Sequence, residues 1–251
     1  MDDLSLLVDL HRGSRRQGPG GDDETRLAIT LSRLRGRRGL QIADIGCGTG
    51  ASTRVLAGEL DADVVAVDCF PEFLQELEAS IAGTAAEPRV RTQVASMEAL
   101  PFAERSLDAI WSEGAIYNMG FLAGIRAWRR FLKPSGVLAV SELTWLTDSR
   151  PQALHQHWVA EYPEVDTAAA KIRALEDSGY TPLGYFVLPP HCWLDNYYRP
   201  LQGRLPSFLS RHAGSADASA IAAAEEQEIA LYEQNSAFVS YGYYIAMRSG
   251  D

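Results

Sequence analysis

The run Leu40-Gln41-Ile42-Ala43-Asp44-Ile45-Gly46-Cys47-Gly48-Thr49-Gly50 constrains this chain more than any other stretch. Its apolar first half reads as a buried strand that ends in an acid and opens into a turn with three alternating glycines. Alternate glycines let the backbone turn tightly and approach a ligand where a Cβ would clash. A helix expected to follow at 52–60 would aim its free N–H groups and positive dipole end at that ligand. Asp44, just before the turn, narrows the ligand. A phosphate gains nothing from a carboxylate there, whereas a ligand carrying an ammonium group is attracted to it.

From residue 40 onward, apolar strand-like runs alternate with helical ones. Strands are predicted at 41–45, 64–68, 90–94, 107–111 and 137–142, with helices at 52–60, 72–81 and 122–132 between most of them. Such alternation implies a parallel sheet covered on both faces, an α/β fold. After Glu142 the pattern changes to helices at 151–162 and 168–178 and a strand at 181–188. An irregular, aromatic-rich insertion is expected at 193–212, then a long helix at 216–235 and a last strand at 237–247. Two late strands without full crossovers predict an antiparallel end to the sheet. Upstream, a helix at about 4–11 precedes a Gly/Pro-rich loop at 16–21, and Asp22 or Asp23 is placed to cap the next helix. The expected organisation is one domain over 1–251: a helical cap (1–38), a ligand-binding core (39–142), an acceptor-side segment (143–212) and a C-terminal helix and strand (213–251).

A net charge of −10 and a pI near 5.0 argue against a nonspecific nucleic-acid partner, which calls for a basic face. Seven of the arginines gathered in the first forty residues (Arg12, Arg15, Arg16, Arg33, Arg35, Arg37 and Arg38) read as a solvated helical surface. Cys47, Cys69 and Cys192 form no CxxC pair, so neither a metal cluster nor a disulfide framework is expected, and a reducing cytoplasm fits. No apolar stretch is long enough to span a bilayer, and the N-terminus lacks the plan of a signal peptide, so no membrane association is expected.

Asp68 ends the second predicted strand, at the spacing of an acid that accepts hydrogen bonds from two ribose hydroxyls. Phe70 could lie against an adenine face or start the next helix as a core aromatic. Ser96-Met97-Glu98 precedes Leu100-Pro101-Phe102, a turn that brings Glu98 to the rim of the same crevice. Asp44 and Asp68 together suit S-adenosylmethionine (SAM), which carries both an ammonium group and a ribose. Gly46-x-Gly48-x-x-Ala51 with a later acid also satisfies the dinucleotide fingerprint, so an NAD-dependent oxidoreductase stays open on the glycines alone. Against it, the two lysines, Lys133 and Lys171, have no tyrosine four residues earlier, so the Tyr-x-x-x-Lys pair of short-chain dehydrogenases is absent.

In combination, Asp44-x-Gly46-x-Gly48-x-Gly50, Asp68, Leu100-Pro101-Phe102, Leu107-Asp108-Ala109-Ile110-Trp111 and Leu132-Lys133-Pro134-x-Gly136 resemble the class I SAM-dependent methyltransferases over about a hundred residues. Arg16-Gln17-Gly18-Pro19-Gly20 and 111–118 are similar to a bacterial subgroup related to the ubiquinone/menaquinone-type methylases. The resemblance implies a Rossmann-like three-layer sandwich with a mostly parallel seven-stranded sheet and an antiparallel last strand. It implies SAM as cofactor, with S-adenosylhomocysteine as product, and a small, partly apolar methyl acceptor. Asp44, Gly46 and Gly48 would line the methionine side, with Arg16 and Gln17 closing over it. Asp68 would hold the ribose, and Cys69, Phe70, Ser96, Met97 and Glu98 would surround the adenosine. Glu113 would open toward the methyl group. Glu113, Tyr117 and His191 are the candidate catalytic residues, and Asn118, Trp193, Tyr197 and Tyr198 the further acceptor-site candidates. No metal is required. A homodimer and a SAM-binding regulator without turnover are left open.

Overall fold

The computed structural model describes residues 3–250. Two N-terminal helices, α1 (Asp3–His11) and α2 (Asp22–Ser32), flank the Gly/Pro-rich loop. There follow β1 (Leu40–Ile45), α3 (Ala51–Glu59), β2 (Ala62–Asp68), α4 (Pro71–Ile81), β3 (Val90–Val94), β4 (Leu107–Glu113), α5 (Phe121–Arg129) and β5 (Leu132–Trp145). The C-terminal part contains α6 (Gln152–Glu161), a two-residue β6 (Asp166–Thr167), α7 (Ala168–Asp177), β7 (Tyr180–Val187), α8 (Pro190–Trp193), α9 (Arg199–Arg211), α10 (Ala216–Asn235) and β8 (Val239–Arg248).

The strand order is β3-β2-β1-β4-β5-β8-β7, with β6 beside β5. Pairing is parallel from β3 through β5, and β8 runs antiparallel to both β5 and β7. Chain order reverses between β1 and β4, and a crevice opens at the carboxyl ends of the strands at such a switch point. Side chains alternate between two cores, as a sheet covered on both faces requires. Ile42, Trp111, Ala139 and Ile245 face the layer built mainly from α1–α4, α6 and α8–α10, whereas Ala43, Ile110, Val140 and Tyr244 face α5 and α7.

Three expectations are corrected. The stretch 193–212 is helical: α8 passes through a π-helical turn (Leu194–Tyr198) into α9. Pro200 and Pro206 read as breakers, but Pro200 lies in the first turn of α9, where no N–H is needed. Burying Leu201, Leu205 and Phe208 on one helical stripe holds α9 together across Pro206. Neither Asp22 nor Asp23 caps α2. Gly21 is the cap residue, and Asp22 instead takes the side chains of Arg15 and Arg16. Finally, β5 begins five residues earlier than its apolar run, because the register slips between Leu107 and Ala109 and the turn-like 133–136 segment is looped out within the strand.

Candidate active site

The glycine turn is pinned to the end of β2, since the N–H groups of Gly46 and Cys47 both donate to the Val67 carbonyl (2.8 and 3.0 Å). Gly46 and Gly48 have φ of 69° and 54°, in the left-handed region. A Cβ on Gly46 would run into Ala115, just past β4, and one on Gly48 into the Gln17 side chain. Both positions therefore favour glycine for backbone shape, and Gly46 also for its close approach to Ala115.

Asp68 accepts from the N–H of Gly48 at one oxygen (2.9 Å) and of Phe70 at the other (3.0 Å), so it ties the glycine turn to the start of α4. Burial pushes its carboxyl above the usual range, and these backbone bonds pull the other way. The Cys69 N–H and thiol also bond to this carboxylate.

These residues border one cavity of about 700 Å³, within the size range of small-molecule sites. Its near half is walled by Gln17, Gly46, Gly48, Asp68, Cys69, Phe70, Ser96, Met97 and Glu98, all of them residues marked in the sequence for the cofactor. The far half carries Tyr117, Asn118, Trp193 and Tyr197, four of the seven residues marked for the acceptor.

Asp44, Arg16, Glu113, His191 and Tyr198 lie off the cavity wall. Asp44 is fully buried behind the turn, where one carboxylate oxygen accepts from Ser52 (2.7 Å) and Thr53 (2.6 Å) of α3 and the other has no partner. Burial pushes its carboxyl up to about 7, the two hydroxyls oppose this, and the Glu113 charge adds to it. Asp44 thus grips the first turn of the helix behind the glycines.

Glu113 is committed to four donors: Arg16 (2.9 Å), Thr25 (2.7 Å), Trp111 Nε1 (3.1 Å) and the Tyr243 hydroxyl (3.0 Å). It ties the N-terminal strap, α2 and β8 to the end of β4. Arg16 is itself buried, not part of a solvated basic surface. A Cβ on Gly20 would lie 2.6 Å from the Arg16 guanidinium, so a larger residue there would have to displace the end of this side chain. The next residue, Gln17, donates to the Ser14 carbonyl (3.0 Å) and accepts from the Thr49 N–H (2.9 Å), which lays the strap across the glycine turn.

His191 is half exposed and faces Glu24 at 3.5 Å, away from the cavity. Among the described residues it forms, with Glu24 and Cys192, one group whose ligand atoms all lie within 4.8 Å of one another. Burial pushes the Cys192 thiol well up, which opposes the thiolate a metal needs. Tyr198 sits behind the wall and donates to Glu228 (2.8 Å).

The far half also contains residues that no motif marked: His11 from α1, Trp158 and Glu161 from α6, Tyr162, Glu225 and Glu228 from α10, and Tyr241 from β8. Glu225 and Glu228 are three apart on one helix, so their shared face was visible in the sequence. That this face looks into the cavity depends on how α10 packs.

Residues 42–136 match the family model for the methyltransferase domain. The malonyl-[acyl-carrier protein] O-methyltransferase of Enterobacter lignolyticus is 33% identical over 131 residues, which cover 52% of this chain and 48% of that protein. The chain thus spans about half the length of the curated relatives it matches. A SAM-dependent methyltransferase from Geobacter sulfurreducens, solved with S-adenosylhomocysteine, superposes with a TM-score of 0.82 at 15% identity, over 98% of this chain and 97% of that one. The [4+2]-cyclase SpnF superposes with a TM-score of 0.76 at 17% identity, over 99% and 93% of the two chains. Residues 42–136 thus match the methyltransferase-domain family, and the described chain has the fold of a SAM-dependent methyltransferase. Among the described residues, no helix is long and apolar enough to cross a membrane.

Proposed function

We propose that this protein transfers the methyl group of SAM to a small molecule held in the far half of the cavity. The observation that carries this reading is continuity: one cavity joins the glycine turn and Asp68 to an aromatic chamber at the sheet's switch point. The residues present fit the cofactor. Gly46 and Gly48 bring the backbone of the turn to the cavity wall beside Gln17, Asp68 lines the same wall as an acceptor for ribose hydroxyls, and Phe70, Ser96, Met97 and Glu98 offer an edge for adenine.

When bound, SAM supplies an electrophilic methyl carbon on a sulfonium leaving group. What remains for the protein is to align the acceptor and exclude water, and near-attack positioning is worth roughly 7–11 kcal/mol in favourable systems. Tyr117, Tyr197 and Tyr241 wall the acceptor side, and α1 contributes Leu4, Leu7 and Val8. We assign Arg16 and Glu113 to holding the strap in place, since their side chains are committed to protein partners, and Asp44 to holding α3 behind the turn through Ser52 and Thr53, with its second oxygen unpartnered. The three cysteines are unpaired, which supports a cytoplasmic setting for this chemistry.

Calorimetric titration with SAM, S-adenosylhomocysteine and NADH in parallel tests the reading. Saturable binding of the first two and not of NADH is expected, and binding of NADH alone would overturn it.

A further inference from the structure

We infer that the far chamber is built for an acceptor bearing a positively charged amine, an inference that rests on the methyltransferase reading of the same cavity. The charged groups on that wall carry it first. Glu161, Glu225 and Glu228 line the chamber, and among the described residues that line it His11 is the one basic side chain, with neither lysine nor arginine. His11 lies 3.5 Å from Glu225, so in its protonated form it offsets one of the three carboxylates. Glu228 accepts from Tyr198 at one oxygen, and its other oxygen has no partner among the described residues. A carboxylate or phosphate acceptor would add negative charge here without the guanidinium fork or ammonium that normally receives it.

The aromatic wall is a second and independent observation. Tyr241 is nine-tenths buried, lines the chamber, and its hydroxyl has no hydrogen-bond partner among the described residues. Its ring stands 2.9 Å from where a Cβ on Gly114 would be, beside the loop that meets the glycine turn through Ala115. Tyr241 therefore occupies the junction between the two halves of the cavity, with a free polar atom. Tyr117, Tyr197 and Trp193 add further rings to the same wall, and Trp193 packs edge-on against Tyr241 (4.9 Å between centroids). Ring faces beside carboxylates attract an ammonium group by cation–π and charge–charge terms together, both strengthened away from water.

The same groups suit the chemistry of an amine. A protonated nitrogen has no lone pair to offer until its N–H bond breaks, the electron pair staying on nitrogen and the proton passing to a base. Burial, with Glu225 and Glu161 nearby, holds the Glu228 carboxyl up at about 6, a better proton acceptor than an ordinary carboxylate.

The test needs no knowledge of the natural acceptor. Protein saturated with S-adenosylhomocysteine is titrated with a panel of aryl and alkyl amines, phenethylamine among them, each beside its neutral alcohol and its carboxylate isostere (2-phenylethanol and 3-phenylpropionate for phenethylamine). At least one amine should bind tenfold or more tightly than both isosteres. The double variant Glu225→Gln/Glu228→Gln should weaken that amine at least tenfold while leaving S-adenosylhomocysteine affinity within twofold. The exposed Glu161→Gln should weaken it less, which keeps the question open to measurement if the double variant does not fold. Carboxylates or alcohols binding as tightly as their amine partners, or no amine in the panel binding, would overturn the inference. If S-adenosylhomocysteine itself does not bind, the proposed function falls, and the isostere comparison on the protein alone still decides this one.

Discussion

Replacing Glu113 by glutamine separates a structural carboxylate from a catalytic one. The side chain keeps its size, but Arg16 loses the charge 2.9 Å away and keeps only Asp22 at 3.2 Å. Both Arg16 and Glu113 have side chains more than nine-tenths buried, so water cannot replace the lost partner. Removing one member of a buried ion pair costs about 3–5 kcal/mol. Asp22 offsets part of that, whereas the new amide faces the Arg16, Thr25, Trp111 and Tyr243 donors with a donor of its own. A net loss of about 3 kcal/mol corresponds to a fall in Tm of roughly 6–12 °C for a chain of this size. Because Gln17 rides on the strap that Arg16 anchors, affinity for S-adenosylhomocysteine should fall with stability. Arg16→Met should reproduce both effects, and the double variant should lose much less than the sum, as expected for residues in direct contact. The measurements are thermal unfolding and calorimetry. An unchanged Tm and unchanged cofactor affinity, with turnover lost, would refute the structural role and return Glu113 to acceptor chemistry.

Further outcomes follow from the same geometry. Asp68→Ala should weaken SAM by about 1.5–3 kcal/mol, the worth of hydrogen bonds to a charged group, so unchanged affinity by calorimetry would remove the ribose role. Asp44 has its carboxyl raised by burial to about 7 from an ordinary 3.8, so the fold binds its proton more tightly than the unfolded chain does. Its contribution is then fully present below about pH 4 and lost as pH rises through about 7. Asp44→Asn, which can still accept from Ser52 and Thr53, should flatten that decline and gain stability at pH 8. Urea titrations at pH 5 and pH 8 read this directly, and an Asn variant less stable at pH 8 than the parent would contradict it. His191→Ala should change S-adenosylhomocysteine affinity negligibly and stability by no more than about 0.5 kcal/mol, as for other surface sites. A tenfold loss of affinity would place the imidazole in the site after all.

Much of this protein is written locally. The strand-turn-helix at 40–59, the alternation through β5 and the acid ending β2 are short-range patterns of hydrophobic period and turn chemistry, and they placed the near half of the cavity residue by residue. The helical nature of 193–212 was hidden because Pro200 and Pro206 signal a break locally, while the burial of Leu201, Leu205 and Phe208 that outweighs it is a tertiary effect. Glu113 and His191 show the limit most clearly. Each is a reactive side chain near the expected ligand in sequence, yet Glu113 is taken up by partners 2, 88, 97 and 130 residues away, and His191 turns toward Glu24. The far half of the cavity gathers α1, α6, α10 and β8 from both ends of the chain. Sequence alone thus determined the fold class and the residues that line the cavity beside the glycine turn, because a glycine turn between a strand and a helix needs only neighbouring residues. Only the tertiary structure decided which carboxylates line the cavity and which are spent on the frame, because that depends on packing between segments that the sequence keeps far apart.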